Sequence, residues 1–257
     1  MPEKQIERVL LTNDDGIDAP GLAVLEEVAA TLAREVWVVA PEHDQSGTSH
    51  SISLHDPLRI RPKGERRFAV SGTPGDCVAM GVSYIMRDAP PQLVLSGVNA
   101  GANIGMETVF SGTVGAAMTA IMLGLPAIAL SQAFRDRSAI PWDTARTLAP
   151  DVIRRLLAAG LDAQACLNVN FPAIEAGAAG PITMTRQGQG LLRGIDVVSG
   201  TDPRMVGYHW LRLMRGPRVD GPDADAGALA EGRISVTPLR FERTDDATHA
   251  RIAAALG

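Results

Sequence analysis

Short apolar runs alternate with helical segments between Arg8 and about Ser131, and this alternation restricts the fold more than any other feature of the sequence. A segment from about Pro20 to Ala33, and a small-residue segment from about Thr113 to Leu123, carry apolar residues at helical spacing. Strands that are apolar throughout need cover on both faces. The pattern therefore predicts an α/β fold, a Rossmann-like and mostly parallel sheet with helices on both faces. The predicted strands are Val9–Leu11, Val36–Ala40, Leu93–Ser96 and Ala127–Leu130.

Polar clusters follow three of these strands. They are Asn13–Asp15 after the first, His43–Ser53 after the second, and Ser96–Ser111 around the end of the third. In an open parallel sheet, ligands bind at the carboxyl ends of the strands. We therefore expect the three clusters to converge at one edge of the sheet.

The pattern changes in the last third of the chain. A helix is predicted from Leu148 to Leu157 and a strand from Cys166 to Phe171, after which residues 185–215 are rich in glycine and lose the α/β pattern. We predict one domain over residues 1–257. It would have a core of about 1–184, a smaller C-terminal extension with a β-hairpin-like excursion at about 185–215, and a strand and helix within about 216–257. Exposed apolar residues in the excursion favour a role in self-association.

The net charge and composition argue against several classes of partner. The formal net charge of -5 argues against a nucleic-acid polymer, because such binding depends on Lys and Arg. A small anionic substrate would need a local positive charge, which a metal ion would supply. Cys77 and Cys166 lie far apart and fit two buried thiols. With neither a signal core at Met1–Leu10 nor an apolar run long enough for a bilayer, the chain is predicted to be cytoplasmic, with no membrane partner.

Asp14 and Asp15 are adjacent, directly after a buried strand and before Gly16. Neighbouring carboxylates repel each other unless a cation or protons compensate, and Mg²⁺ and Mn²⁺ prefer such oxygen ligands. A solvated turn with a helix cap explains the same residues, and both interpretations stay open at this level.

Hydroxyl groups in the loop after the second strand, among them that of Ser46, suit a metal, a phosphate or an ordinary polar loop. No role is assigned to His43 or His50. The glycine-rich stretch Ser96–Gly105 leads through Ser111 to a helix start, where backbone N–H groups and small residues favour an anion. It matches neither the GxxxxGK[ST] loop nor GxGxxG, which argues against an ATPase and a dinucleotide enzyme. Thr73 and Pro74 suit the cap and first position of another helix.

Ten motifs follow one another in order along the chain: Leu10–Ile17, Ala19–Gly21, Val39–Pro41, Gln45–Gly47, His50–Ile52, Ser71–Val78, Ser96–Gly101, Ser111–Ala117, Asn168–Pro172 and Ser235–Leu239. Taken together, these motifs resemble the SurE family, the stationary-phase survival proteins that are 5′/3′-nucleotidases. Any one motif is weak, whereas the ordered set is specific and spans nearly the whole chain. Near its end the sequence departs from the family's Asp-Leu-Thr-x-His run, with Glu242–Asp246 in its place and His249 displaced.

The resemblance implies a Rossmann-like core, an extension that forms a homodimer or homotetramer, and one divalent metal ion (Mg²⁺ or Mn²⁺) per subunit. The implied metal ligands are Asp14, Asp15, Ser46 and Asn99. Our hypothesis is a phosphomonoesterase that hydrolyses nucleoside 5′- and 3′-monophosphates by metal-activated water, with Asp14 and Asp15 as its catalytic residues. The phosphate contacts are predicted to be Asn99, Asn103, Ser111, Gly112 and Thr113.

Two alternatives stay open. A phosphatase with an aspartyl-phosphate intermediate usually has its two aspartates one residue apart, unlike the adjacent pair in this chain. A non-catalytic nucleotide-binding stress-response module would bind nucleotide without turnover or metal dependence.

Overall fold

The computed structural model describes residues 5–161, 163–217 and 219–256. The prediction that no signal core is present concerns Met1–Leu10, and the first four of these residues lie outside the described residues. The strands are β1 (Ile6–Thr12), β2 (Ala33–Pro41), β3 (Ile60–Gly64), β4 (Arg67–Val70), β5 (Leu93–Ala100), β6 (Ala127–Gln132), β7 (Cys166–Phe171), β8 (Ile182–Met184), β9 (Leu192–Thr201), β10 (Gly207–Arg215) and β11 (Ile234–Leu239). The α-helices are α1 (Pro20–Ala30), α2 (Pro74–Met80), α3 (Gly112–Met122), α4 (Trp142–Ala159), α5 (Asp225–Ala230) and α6 (Asp246–Leu256).

In the described part of the chain, nine strands form the main sheet in the order β3-β4-β2-β1-β5-β6-β7-β11-β8. The contiguous strands β4, β2, β1, β5, β6 and β7 are parallel, whereas β3 and β11 run antiparallel to their neighbours β4 and β7. The predicted mostly parallel sheet is confirmed. Among the described helices, none combines the length and apolar character needed to cross a bilayer.

Helices cover both faces of the sheet, as predicted. Alternate residues of β1 divide between two apolar cores: Val9 and Leu11 pack in the core that includes α1 and α4, and Leu10 packs in the core that includes α2 and α3. This alternation follows from the period of two along a strand. Both cores are apolar, which explains why the central strands are apolar throughout.

Several boundaries differ from the sequence prediction. Helix α1 ends at Ala30 and β2 begins at Ala33, where one helix to Ala33 was expected. Helix α4 begins at Trp142, six residues before the predicted start, and it accommodates Pro150 in its interior. The antiparallel pair β3 and β4 was not predicted, because most of β3 is exposed and polar and carries no apolar alternation.

The hairpin of β9 and β10 forms a separate two-stranded sheet, which confirms the predicted excursion. Its strands occupy residues 192–215, so its first strand begins seven residues after the predicted start at 185. Trp210 and Leu211 are 69% and 75% exposed. An isolated two-stranded hairpin has little stability of its own in water. Its large exposed apolar side chains are therefore a feature that folding of the described monomer does not explain.

Helix α2 begins as the sequence predicted. The Thr73 hydroxyl accepts from the N–H of Asp76 at 3.2 Å, and the Asp76 carboxylate accepts from the N–H of Thr73 at 2.9 Å. Pro74 occupies the first turn. These reciprocal bonds form a capping box, which fixes the start of α2 without any catalytic role for Thr73.

Candidate active site

The carboxyl ends of four parallel strands, β1, β2, β5 and β6, border one cavity of about 500 Å³. The volume lies in the range of small-molecule sites. The three polar clusters expected to converge there do so, and the loop after β6 joins them. The cavity is lined by Asp14, Asp15, Ser46, Gly47, Asn99, Ala100, Gly101, Ala102, Asn103, Ile104, Glu107, Phe110, Ser111, Ala133, Phe134, Arg137, Leu191, Leu213, Arg215 and Leu229.

Asp14 lies at the bottom of this cavity and is only 5% exposed. The Thr113 hydroxyl donates to its Oδ1 at 2.5 Å. The pKa of Asp14 is raised to about 6: burial is the main cause, the hydrogen bond from Thr113 opposes the rise, and the charge of Asp15 adds to it. A carboxylate in this position gains strongly from a nearby cation.

Gly112 is needed where α3 approaches Asp14. A Cβ at position 112 would lie 2.7 Å from the Cβ of Asp14, closer than two carbon atoms can pack. The first turn of the helix therefore lies directly against the aspartate. This contact gives Gly112 a packing role in addition to its predicted phosphate contact.

Asp15 is half-buried and accepts from the N–H of Ala100 at 3.2 Å. Burial raises its pKa, the Ala100 bond opposes this, Asp44 raises it further and Arg137 lowers it. Asp14, Asp15 and Asp44 thus form a chain of carboxylates, in which the charge of Asp15 raises the pKa of Asp14 and the charge of Asp44 raises the pKa of Asp15. Arg137 supplies the opposing positive charge from the loop after β6.

Asn99 belongs to β5 itself. The predicted strand ended at Ser96, but β5 continues to Ala100 after a register shift between Ser96 and Asn99. Gly97 has a φ of 139°, and a Cβ there would lie 2.3 Å from the carbonyl oxygen of Leu130. The Asn99 amide nitrogen donates to the Gly101 carbonyl at 2.8 Å, so its amide oxygen is the atom available as a ligand.

Ser46 lies in the loop after β2 and is exposed at the cavity rim. Its hydroxyl and its backbone N–H both donate to Asp44 Oδ1, at 2.6 and 2.8 Å. The hydroxyl proton is therefore directed to Asp44, and the oxygen keeps lone pairs for a ligand. The N–H of Gln45 donates to the Asp14 carbonyl at 2.7 Å, which ties this loop to the end of β1.

The residues predicted to contact phosphate have different surroundings. Asn103 lines the cavity, with its amide donating to Ser131 at 2.9 Å and its backbone bound by Asn168 and Asn170. Ser111 also lines the cavity and caps α3 by accepting from the N–H of Val114 at 3.0 Å. The Thr113 hydroxyl is directed to Asp14. Direct phosphate contacts by these residues and by Gly112 stay predictions.

The donor set fits a hard divalent cation. Asp14, Asp15, Ser46 and Asn99 all border the same cavity and offer oxygen atoms, which Mg²⁺ and Mn²⁺ prefer. Burial and mutual repulsion leave the two carboxylates in need of positive charge. Within residues 5–161, 163–217 and 219–256, no group of three or more His, Cys, Asp or Glu side chains could hold a metal ion. A site in this cavity would therefore depend on the serine and the asparagine.

The opposite wall of the cavity was not predicted from the sequence. Phe134 and Arg137 follow β6, and Arg215 reaches the cavity from β10, where it pairs with Glu107. None of these residues belongs to a local motif. The rule that sites gather at strand ends would have identified the loop after β6. Only the folded position of the hairpin places Arg215 there.

No catalytic role was assigned to the histidines or cysteines from the sequence, and their positions in the structure agree with this. His43 is exposed, and His50 borders a separate cavity of about 370 Å³. His249 is exposed on α6. Cys77 and Cys166 are free, buried thiols, and burial raises the pKa of each.

The chain is similar to proteins of one family throughout its length. Residues 9–193 match the family model of the survival protein SurE. The chain is 65% identical to 5′-nucleotidase SurE 1 of Burkholderia lata, covering 98% of this chain and 97% of that protein. It is 49% identical to 5′-nucleotidase SurE of Bradyrhizobium diazoefficiens, covering 97% and 99%.

A solved structure has the same fold. The crystal structure of the SurE protein from Aquifex aeolicus superposes with a TM-score of 0.82 at 33% identity, covering 97% of this chain and all of that one. The family resemblance inferred from the ordered motifs is thus confirmed by sequence and by fold. This chain belongs to the SurE family.

Proposed function

We propose that the protein is a metal-dependent phosphomonoesterase that hydrolyses nucleoside 5′-monophosphates, and also 3′-monophosphates, to nucleoside and phosphate. One observation carries the proposal: Asp14, Asp15, Ser46 and Asn99 border one cavity beside the start of α3. The high identity to relatives named 5′-nucleotidase supports the same activity.

Asp14, Asp15, Ser46 and Asn99 would hold one Mg²⁺ or Mn²⁺ ion per subunit. When bound, such an ion supplies positive charge to a phosphate oxygen and lowers the pKa of water. Asp14 and Asp15 provide the negative charge that retains the ion. The hydrogen bond from Thr113 keeps the Asp14 carboxylate oriented and favours its charged form.

The start of α3 would receive the phosphate. In its first turn, the N–H of Thr113 is directed to Asp14 and that of Val114 to Ser111. The N–H of Gly112 is then the donor available to a substrate oxygen, at the positive end of the helix dipole. Arg137, whose charge already acts on Asp15, would offset a second phosphate charge from across the cavity.

Direct attack by water fits the surroundings of the aspartates better than a phosphorylated aspartate. Asp14 is buried against Gly112 and accepts a hydrogen bond from Thr113, which restricts its approach to a phosphorus atom. Asp15 is bound to the N–H of Ala100. Both carboxylates would be occupied in holding the metal, so neither is free as an in-line nucleophile.

The exposed hairpin supports a homo-oligomer, a dimer or a tetramer, because Trp210 and Leu211 would be buried by a second copy. A cytoplasmic location is also proposed. Two free, buried thiols agree with a reducing compartment.

The test is phosphate release from a panel of nucleoside 5′- and 3′-monophosphates, measured with chelator and again after addition of Mg²⁺ or Mn²⁺. The expected result is no release in chelator and recovery with metal. Full activity of the metal-free protein would contradict the proposal. Tight nucleotide binding without turnover under any metal condition would identify a non-catalytic binding module instead.

A further inference from the structure

Glu107 places a carboxylate in the cavity, on the short 3₁₀ helix Gly105–Val109 that precedes α3. Its side chain is only 11% exposed. Arg215 of β10 reaches over it and donates to both of its oxygens, at 3.3 Å from Nε and 2.6 Å from Nη2. The ion pair cancels the negative charge that would otherwise repel an anionic substrate. Glu107 can therefore remain in a cavity that receives a phosphate.

The chemistry of this carboxylate selects its ligand. An ionised carboxylate accepts hydrogen bonds at about four lone-pair positions and donates none. Arg215 takes two of them, which leaves about two acceptor positions for a ligand. A phosphate dianion has no proton to donate and gains nothing there. A pair of neighbouring hydroxyl groups fits the two acceptors.

Glu107 and the start of α3 border the same cavity. Glu107 lines it from the 3₁₀ helix, and Ser111, the N-terminal cap of α3, lines it as well. The cavity volume of about 500 Å³ lies in the range of small-molecule sites. A nucleotide with its phosphate at the start of α3 can thus bring its sugar to Glu107.

The 3₁₀ helix is held rigidly at its first turn. The N–H of Gly105 donates to the buried carboxylate of Asp225 at 2.8 Å. The Gln187 amide donates to the Gly105 carbonyl and to the Thr108 hydroxyl, both at 2.9 Å. These bonds come from Gln187, between β8 and β9, and from Asp225 at the start of α5. Glu107 is therefore positioned before any substrate binds, which lowers the entropy cost of recognition.

We propose that Glu107, oriented by Arg215, is a specificity-determining residue that accepts hydrogen bonds from the 2′- and 3′-hydroxyls of ribose and makes the site selective for ribonucleoside 5′-monophosphates. This inference rests on the proposed nucleotidase function. It also predicts slower hydrolysis of 3′-monophosphates, because their 3′-oxygen carries the phosphate and one hydroxyl of the pair is lost.

The test compares kcat/KM for adenosine 5′-monophosphate with that for its 2′-deoxy and 3′-deoxy analogues. Wild-type enzyme is expected to prefer the ribonucleotide about tenfold, the value of one hydrogen bond to a charged acceptor. Glu107→Ala should reduce this preference to about one, mainly by raising KM for the ribonucleotide. Glu107→Gln keeps one acceptor and should give an intermediate preference; it also decides the question if the alanine variant does not fold.

Asp196→Asn is the matched control. Asp196 pairs with Arg212 on the same hairpin, and neither residue lines the cavity. This variant should keep both the wild-type rate and the wild-type preference. If Glu107→Ala instead lowers the rates on all three substrates together, the substitution has loosened the hairpin in general. That result would overturn the role of Glu107 in specificity.

A separate arm distinguishes failure of the inference from failure of the function. p-Nitrophenyl phosphate has no ribose, so its hydrolysis by the wild-type enzyme reports phosphatase activity without any contribution from ribose recognition. If wild-type enzyme releases phosphate but treats the ribo and deoxy substrates equally, or if Glu107→Ala keeps the wild-type preference, Glu107 has no role in ribose recognition and the phosphatase function stands. If wild-type enzyme releases phosphate from no substrate, the proposed function itself is wrong.

Discussion

Replacing Thr113 by valine removes one hydroxyl from the bottom of the site with little change in side-chain volume. That hydroxyl donates to Asp14 at 2.5 Å, and both side chains are buried. A hydrogen bond to a charged group contributes about 1.5–3 kcal/mol, and loss of a partner that orients a metal ligand commonly costs about 10–100-fold in metal affinity. We expect the Mg²⁺ concentration for half-maximal phosphate release to rise by about that factor.

The Mg²⁺ requirement is expected to rise, rather than fall, because of the charge on Asp14. The pKa of Asp14 is raised to about 6, with burial as the main cause and the bond from Thr113 opposing the rise. Without the hydroxyl that pKa rises further, and a larger fraction of Asp14 is protonated near neutral pH. Protonated Asp14 is a poor ligand for a cation. The defect should therefore shrink as the pH or the metal concentration is raised.

The assay is phosphate release from a nucleoside monophosphate over a Mg²⁺ titration, with circular dichroism to confirm folding. Thr113→Ser keeps the hydroxyl and should respond to Mg²⁺ nearly as the wild type does. Thr119→Val makes the same chemical change on the same helix, where the hydroxyl donates to the Gly115 carbonyl at 2.9 Å, away from Asp14. The reasoning is refuted if Thr113→Val has the wild-type Mg²⁺ requirement, or if Thr119→Val shifts it equally.

Four further predictions follow from the site and the hairpin. Asp14→Asn and Asp15→Asn should each lose most phosphate release at limiting Mg²⁺ while keeping their fold, and Ser46→Ala should lose less because it removes a neutral ligand; the reverse ranking would exclude this ligand set. In chelator, the free energy of unfolding should fall as pH rises from about 4 to about 6, by on the order of 3 kcal/mol, because the folded state holds a proton on Asp14 that the unfolded state releases. Urea denaturation measures this, and an equal slope in Asp14→Asn would assign it to another group. Charge introduced by Trp210→Glu with Leu211→Glu should reduce the particle mass measured by light scattering, and an unchanged mass in a folded variant would exclude hairpin-mediated assembly. Hydrolysis of a chiral phosphate monoester should invert configuration at phosphorus, whereas retention would favour a phosphorylated aspartate.

The sequence predicted those parts of the fold in which local pattern and final environment agree. Val9–Leu11 and Ala127–Leu130 are apolar because both faces of the central sheet are covered, and their strands were identified. Helix α4 was predicted too short, since it begins at Trp142 rather than at Leu148, and its core-facing residues pack in the interior on both sides of Pro150. Strand β3 has a polar sequence typical of a sheet edge and carries no signal of its own.

The same distinction holds for the candidate site. Asp14 and Asp15 could be placed from the sequence because they directly follow a recognisable strand. Asn99 was assigned to the site, but its place within β5 depends on the backbone at Gly97, which a propensity argument does not predict. The pairing of Glu107 with Arg215 joins residues 108 positions apart, and only the folded chain brings them together.

Helix α3 belongs to the interior of the protein as much as to its site. Ten of its eleven residues, Gly112–Ile121, are buried, and its first turn packs on Asp14. Natural variation at these positions would alter folding and chemistry together, so few changes would survive selection. The loop after β6 and the hairpin border the same cavity with mostly exposed side chains. Evolution of new substrate preferences on this scaffold would therefore proceed through that rim, and a mutant library intended to change specificity should leave α3 untouched.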